Sequence, residues 1–281
     1  MTKQQKKKVN MVFTYLIIFI IGFAMLYPII WMFFATFKTN EEIFGHTALL
    51  PSSFSLKNYI DGWNGTVIPY TKYFLNTALL VFPTTIFTLI SCSLAAYAFA
   101  RFHFPGKKLL FAVLIATLML PNSVIIIPRY TLFNKFHWLD SYLPFYMPAI
   151  FACYPFFIYQ LIQFMRGLPK DLDESAYIDG CGTFRVFYQI LLPLMKPALF
   201  SAALFQFMWT YNDYFNSLIY INSVKKFTVS LALRLFLDAE SVVVWGKVLA
   251  MAFVAVLPLI VLFFAAQKYF VEGIATSGMK G

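Results

Sequence analysis

Six long stretches of this chain run almost without a charged side chain: residues 11–37, 73–100, 109–128, 141–165, 197–224 and 248–267, interrupted once, by Asp213. Crossing the hydrocarbon core of a bilayer takes about 20 apolar residues as a helix, and each stretch reaches that length. A backbone in lipid must satisfy its own polar groups, and a single apolar run does this only as a helix. The expected fold class is therefore an all-α membrane protein with six transmembrane helices. Composition agrees. The chain is 60% hydrophobic and 12% charged, against about 25% charged residues in soluble domains. Lys3, Lys6, Lys7 and Lys8 precede the first stretch as they would in a signal peptide. That apolar run is too long, and no small-residue cleavage site follows it, so it reads as an uncleaved first span.

An even number of spans puts both termini on one side. Lysines and arginines gather on the cytoplasmic side of short loops. The four-lysine tail and the short turn with Arg101, Lys107 and Lys108 set the orientation. The expected order is a cytoplasmic tail over 1–10, a first helix over 11–37, and an extracellular loop over 38–72. A five-helix core over 73–270 follows, carrying a cytoplasmic loop at 166–196, and 271–281 form a cytoplasmic tail. A second large outer loop runs over 225–247.

The net charge of +10 excludes little by itself. Basic residues spread over loops between apolar runs fit lipid headgroups better than nucleic acid. Cys92, Cys153 and Cys181 form no Cys-x-x-Cys pair, and His46, His103 and His137 fall in loops without metal spacing. No phosphate loop is present: the glycine that should precede Gly106-Lys107 is Arg101, and the one before Gly246-Lys247 is Ser241. His-Glu-x-x-His and Gly-x-Ser-x-Gly are also missing. Any ATP-driven step therefore needs a partner that holds the nucleotide. Prolines at Pro28, Pro83, Pro121, Pro148, Pro155 and Pro258 should kink the spans.

The loop at 166–196 is the most polar block between two very apolar segments, so it must face water. Asp171 can cap a helix, with Glu174 three residues on in the position of a capping box. Asp171, Asp173 and Glu174 suit the positive end of that helix. Gly180 can take the left-handed conformation that stops it. Thr183 can cap a second short helix, with Phe184, Phe187, Tyr188 and Leu191 on roughly one side, and Pro193 and Pro197 separate it from the next span. Elsewhere, Asp213 is the one acid inside a span, a costly placement that points to function. With Tyr211 and Asn212 it offers the donors, acceptors and aromatic face that sugar hydroxyls and pyranose rings need. The competing reading puts Asp213 near the outer interface, paired with a loop lysine. Asn76 is a further pathway candidate, though a bond between neighbouring helices would also account for it.

The run Glu174-Ser175-Ala176, three residues, Gly180, nine residues, Ile190, one residue, Leu192-Pro193 resembles the signature loop of permease subunits in binding-protein-dependent ABC importers. Ser175 replaces the usual Ala. Asn76-Thr77, Ala95-Ala96-Tyr97-Ala98-Phe99-Ala100-Arg101, Met119-Leu120-Pro121, Ile127-Pro128 and Tyr269-Phe270-Val271-Glu272-Gly273 with Lys280-Gly281 are similar to the sugar-importing branch, and to its smaller permease in maltose-type transporters. The resemblance implies the type I importer fold and a heterodimer with a second, homologous permease. It also implies an ABC ATPase dimer that holds ATP and Mg, an extracellular solute-binding protein, and a sugar as cargo. A related importer of phosphate, amino acids or polyamines is the alternative. Leu172, Glu174, Ser175, Ala176, Asp179 and Gly180 are then the ATPase-coupling residues, while Asn76, Tyr211, Asn212 and Asp213 line the pathway.

Overall fold

The computed structural model describes residues 3–45, 48–237 and 243–278. His46 and the terminal Lys280-Gly281 lie outside them. The described residues are helical, without strands, and divide into two compact units.

The first unit holds residues 1–70 and 233–257. Its α1, Lys3–Ala35, leaves Phe13, Phe19, Ile20 and Met25 exposed, as a lipid-facing helix should. Two short helices, α2 (Asn40–Gly45) and α3 (Lys57–Asn64), break up the predicted loop over 38–72. The Asn58 amide donates to the carbonyls of Thr36 (2.8 Å) and Lys38 (3.1 Å).

The second unit opens with α4, Tyr70–Arg101, one continuous helix of 32 residues. Beyond it the predicted spans are broken. The stretch at 109–128 becomes α5 (Lys107–Leu118) and α6 (Asn122–Lys135), bent by 108°. Pro121 causes the break: its extended backbone and missing N–H end one helix and start the next. Arg129 and Lys135, expected in an outer loop, thus lie on α6. The stretch at 141–165 is α7 (Leu143–Ile150) and α8 (Pro155–Arg166), parted where Ala152 takes a positive φ of 55° ahead of Pro155. Then come α9 (Asp171–Ile178), α10 (Thr183–Val186), a π-helical turn over Phe187–Leu191, and α11 (Leu192–Leu194). A 77° bend at Met195 leads into α12, Lys196–Tyr211. The span expected to run on to residue 224 stops at Asn212-Asp213, and α13 (Tyr214–Tyr220) and α14 (Val229–Ala232) follow. The last helix, α15 (Trp245–Gly278), begins in the first unit.

Among the described residues, four helical stretches are long and apolar enough to cross a membrane, or up to six if each bent pair is one span. Two cores hold the second unit. One gathers Ala96 and Tyr97 of α4, Leu161 and Met165 of α8, Ala176 of α9, and Phe187 and Leu191 of the π turn. The other packs Leu80, Phe133, Phe145, Tyr220 and Leu231.

Candidate functional site

The polar loop folds as a hairpin whose limbs are α9 and α10. Its start differs from the capping-box expectation. The Lys170 carbonyl already accepts the N–H groups of Asp173 (2.9 Å) and Glu174 (3.1 Å), so the helix begins one residue early. Asp171 lies inside the first turn and makes no side-chain cap. Its carboxylate still sits at the positive helix end, together with Asp173 and Glu174. Thr183 does not cap the second limb either. Gly182 holds that position, its carbonyl accepting from Arg185 (2.9 Å) and Val186 (3.0 Å).

Gly180 behaves as expected. Its φ is +79°. The Cys181 N–H donates to the Ala176 carbonyl at 2.9 Å and the Gly180 N–H to that of Tyr177 at 3.1 Å. These paired bonds form the Schellman stop, which uses up carbonyls the helix end would otherwise leave bare.

The buried positions of α9 are Asp173 and Ala176, one turn apart on one face. Everything else on it is exposed, including Leu172, Glu174, Ser175 and Asp179. Ile178 is 86% exposed, and Phe184 on the second limb is 72% exposed. Exposed apolar side chains thus stand beside the exposed acids Asp171, Glu174 and Asp179. Phe184 and Tyr188 were expected on one side with Phe187 and Leu191. Instead Phe187 and Leu191, the two ends of the π turn, are buried while Phe184 and Tyr188 are exposed.

The base of the hairpin is charged. Arg101 Nε lies 2.6 Å from Asp173 Oδ2, with both side chains almost wholly buried. The Nε–H is not aimed for a hydrogen bond, so the contact is an ion pair. The Arg101 Nη2 also donates to the Leu168 carbonyl at 3.2 Å. Burial pushes the Asp173 carboxyl up, and the Arg101 charge opposes that shift. One turn back, the Tyr97 hydroxyl donates to the Thr183 carbonyl at 3.0 Å, and its ring stacks on Phe187 at 5.0 Å. Arg101, Tyr97 and Asp173 were missed as site residues. The visible signal was a lone arginine closing an uncharged 28-residue run, 73–100.

The four pathway candidates do not form one set. Tyr211 is buried and stacked on Phe207 (6.0 Å, 14°). The exposed Asn212 returns its amide to the Met208 carbonyl at 2.9 Å. Asp213 caps α13, accepting from the Asn216 N–H at 3.1 Å. Its carboxylate takes part in a polar cluster with Asn216 and Arg129, not in a pair with a loop lysine. Asn76 is engaged elsewhere: its amide donates to the carbonyls of Lys225 and Phe227, each at 2.9 Å. That fastens α4 to the segment before α14, so Asn76 ties a helix to a loop instead of bridging two helices.

Residues 88–276 match the family described as the binding-protein-dependent transport system inner membrane component. The chain belongs to this family. The permease is 30% identical over 256 residues to the trehalose/maltose transport system permease protein of Thermococcus litoralis, covering 91% of this chain and 92% of that protein. It is 32% identical over 263 residues to the arabinooligosaccharides transport system permease protein of Bacillus subtilis, covering 91% of each. A solved bacterial ABC transporter involved in importing the acidic polysaccharide alginate has the same fold, with a TM-score of 0.84 at 19% identity, over 96% of this chain and 99% of that one. The matched family region takes in the permease's whole hairpin, Arg101, Arg129 and Asp213, but not Asn76. The permease is thus a multi-pass inner-membrane transport subunit.

Proposed function

We propose that this permease carries an oligosaccharide into the cell by alternating access, with both termini and the α9 hairpin in the cytoplasm. A second, homologous permease completes the pathway, an extracellular solute-binding protein delivers the sugar, and an ABC ATPase dimer holds ATP and Mg. The observation that carries this reading is the α9 hairpin. It is a short helix with only Asp173 and Ala176 buried, stopped by Gly180 in the left-handed conformation, with an acidic and apolar outer surface. Such a knob fits a cleft in a partner. The sugar assignment draws support from the relatives, whose names specify trehalose/maltose and arabinooligosaccharides.

In this reading ATP-driven closure of the ATPase dimer moves α9 as a lever. Glu174 supplies the polar contact, Leu172, Ser175 and Asp179 shape the seat, the buried Ala176 fixes α9 to its own core, and Gly180 sets the angle between the limbs. Nucleotide chemistry falls to the ATPase, because the chain has no phosphate loop. Asp213 and Asn212 are the groups proposed to meet sugar hydroxyls in the pathway. Tyr211 supports them from behind, and Asn76 holds the outer segment in place.

The test is uptake of labelled di- and oligosaccharides by proteoliposomes holding the full complex and its binding protein, with phosphate, amino acids and polyamines as controls. ATP-dependent uptake of a sugar alone is expected. A Cβ at Gly180 meets nothing within 4 Å, so substitution there acts through the backbone, at about 1–3 kcal/mol for a left-handed residue. Gly180→Val should leave the complex assembled but cut uptake by about tenfold or more, a branched side chain being least tolerant of positive φ. Gly180→Asn should keep most of it. Normal uptake by Gly180→Val removes the coupling role.

A further inference from the structure

The last turn of α4 touches both limbs of the hairpin. Arg101 meets Asp173 on the first limb at 2.6 Å. Tyr97 holds the Thr183 carbonyl at the start of the second at 3.0 Å. The two side chains are four residues apart and share one face of the helix. Ala96 and Ala100, one turn apart, keep that face of α4 slim where it packs in the same core as Ala176 and Phe187. Between the limbs the chain is loosely packed: a Cβ on Gly180 or on Gly182 would meet nothing within 4 Å. The first limb is anchored by two buried residues, and one of these is a carboxylate whose Oδ1 finds no hydrogen-bond partner among the described residues. Arg101 is therefore its main stabiliser. At its other end, α4 is fastened again. Asn76 donates to the carbonyls of Lys225 and Phe227, and Thr77 Oγ1 accepts the Val229 N–H at 2.8 Å. From Asn76 to Arg101 the helix rises about 1.5 Å per residue, roughly 38 Å in all.

We propose that Arg101 and Tyr97 are positioning residues that hold both limbs of the hairpin to α4, so that a push on α9 passes directly into α4 and along it to the segment before α14. This rests on the importer reading and adds the route by which motion enters the spans. A hairpin held by one limb would pivot at its glycines and absorb the push. Held by both, it moves with α4 as one body.

The readout is sugar molecules imported per ATP hydrolysed, measured on the complete reconstituted complex. A merely structural role lowers the yield of complex and leaves that ratio alone. Arg101→Met and Asp173→Asn should each lower it by about tenfold, with the ATPase subunits still co-purifying, and the double variant should be no worse than either single, as expected for groups acting as one pair. Arg101→Lys, which keeps the charge, should recover most of the ratio. Tyr97→Phe deletes one oxygen and threatens folding least; about a threefold drop is expected from the loss of a single hydrogen bond. An unchanged ratio in Arg101→Met and Tyr97→Phe overturns the proposal, as does a fall in ratio matched by loss of the ATPase subunits. If the unaltered complex imports no sugar, the importer reading fails instead. If it imports sugar and the variants keep its ratio, the grip alone fails.

Discussion

Arg129 reaches Asp213 through Asn216. The guanidinium donates to the Asn216 side-chain oxygen at 2.8 Å, and the Asn216 amide donates to the two Asp213 oxygens at 3.0 and 2.7 Å. Arg129 also donates to the Tyr220 hydroxyl at 2.8 Å and to Asn122 at 2.9 Å. The chain of contacts joins α6, beyond the break of one span, to α13, beyond the break of another.

Asn216 is the middle of that relay, and its loss strips a partner from a cation and an anion together. Leaving a buried polar group unpaired costs about 1–3 kcal/mol, more for charged groups. Asn216→Ala should lower the melting temperature of the purified protein in mild detergent, and Asn216→Gln should restore only part of it because the longer arm misplaces both ends. A melting curve unmoved by Asn216→Ala would mean the relay does not hold the breaks together.

Gly246 has no room for a methyl group. A Cβ there would stand 2.3 Å from the Asn58 amide nitrogen and 2.6 Å from the Lys38 carbonyl oxygen. Relief would require breaking the bonds from Asn58 to Thr36 and Lys38, and backbone does not yield cheaply. Gly246→Ala should therefore destabilise by about 1–3 kcal/mol, the usual range for overpacking. Gly22→Ala, where a Cβ meets nothing, is the control and should be neutral or slightly stabilising. Equal melting temperatures for the two variants would contradict the geometry.

Asp140 knots two loops of the second unit. Its carboxylate accepts from the Asn222 N–H (3.0 Å), the Ser223 N–H (2.8 Å), the Ser223 hydroxyl (2.6 Å) and Lys226 (2.9 Å). Burial alone would raise its pKa, but the bonds from Ser223, Lys226 and Asn222 outweigh that and hold the carboxyl well below the usual range. A carboxyl depressed in the folded state stabilises fully above its unfolded pKa, near 4, and that stability is lost as pH falls toward the folded value. Acidification from pH 6 to about 3 should thus lower the melting temperature of the unaltered protein more steeply than that of Asp140→Asn. Asn tolerates the positive φ of 53° at this position, so the comparison isolates the charge. Parallel slopes would count against the knot.

Much was legible from charge-free length and local chemistry. The apolar stretches marked the membrane helices, and Gly180 marked the stop of α9 because a left-handed residue after a polar helix favours glycine. The failures were equally local. Asp171 and Thr183 are good caps by type, but the helices begin one residue earlier, where the Lys170 and Gly182 carbonyls accept the first helical bonds. Pro121 by type predicts a kink within one span, yet the chain turns by 108° there, which puts Arg129 on α6 instead of in a loop.

The amino-acid sequence by itself determined that this chain lives in a membrane as helices and that its one strongly polar loop must face water. Those properties follow from solvation, which acts on each segment independently. Tertiary structure decided which distant groups meet: Arg101 with Asp173, Asn76 with the carbonyls before α14, and Arg129 with Asn216 and Asp213. Such pairings depend on how helix ends stack after every bend, and a buried charge or amide is satisfied by whatever partner that stacking brings within reach.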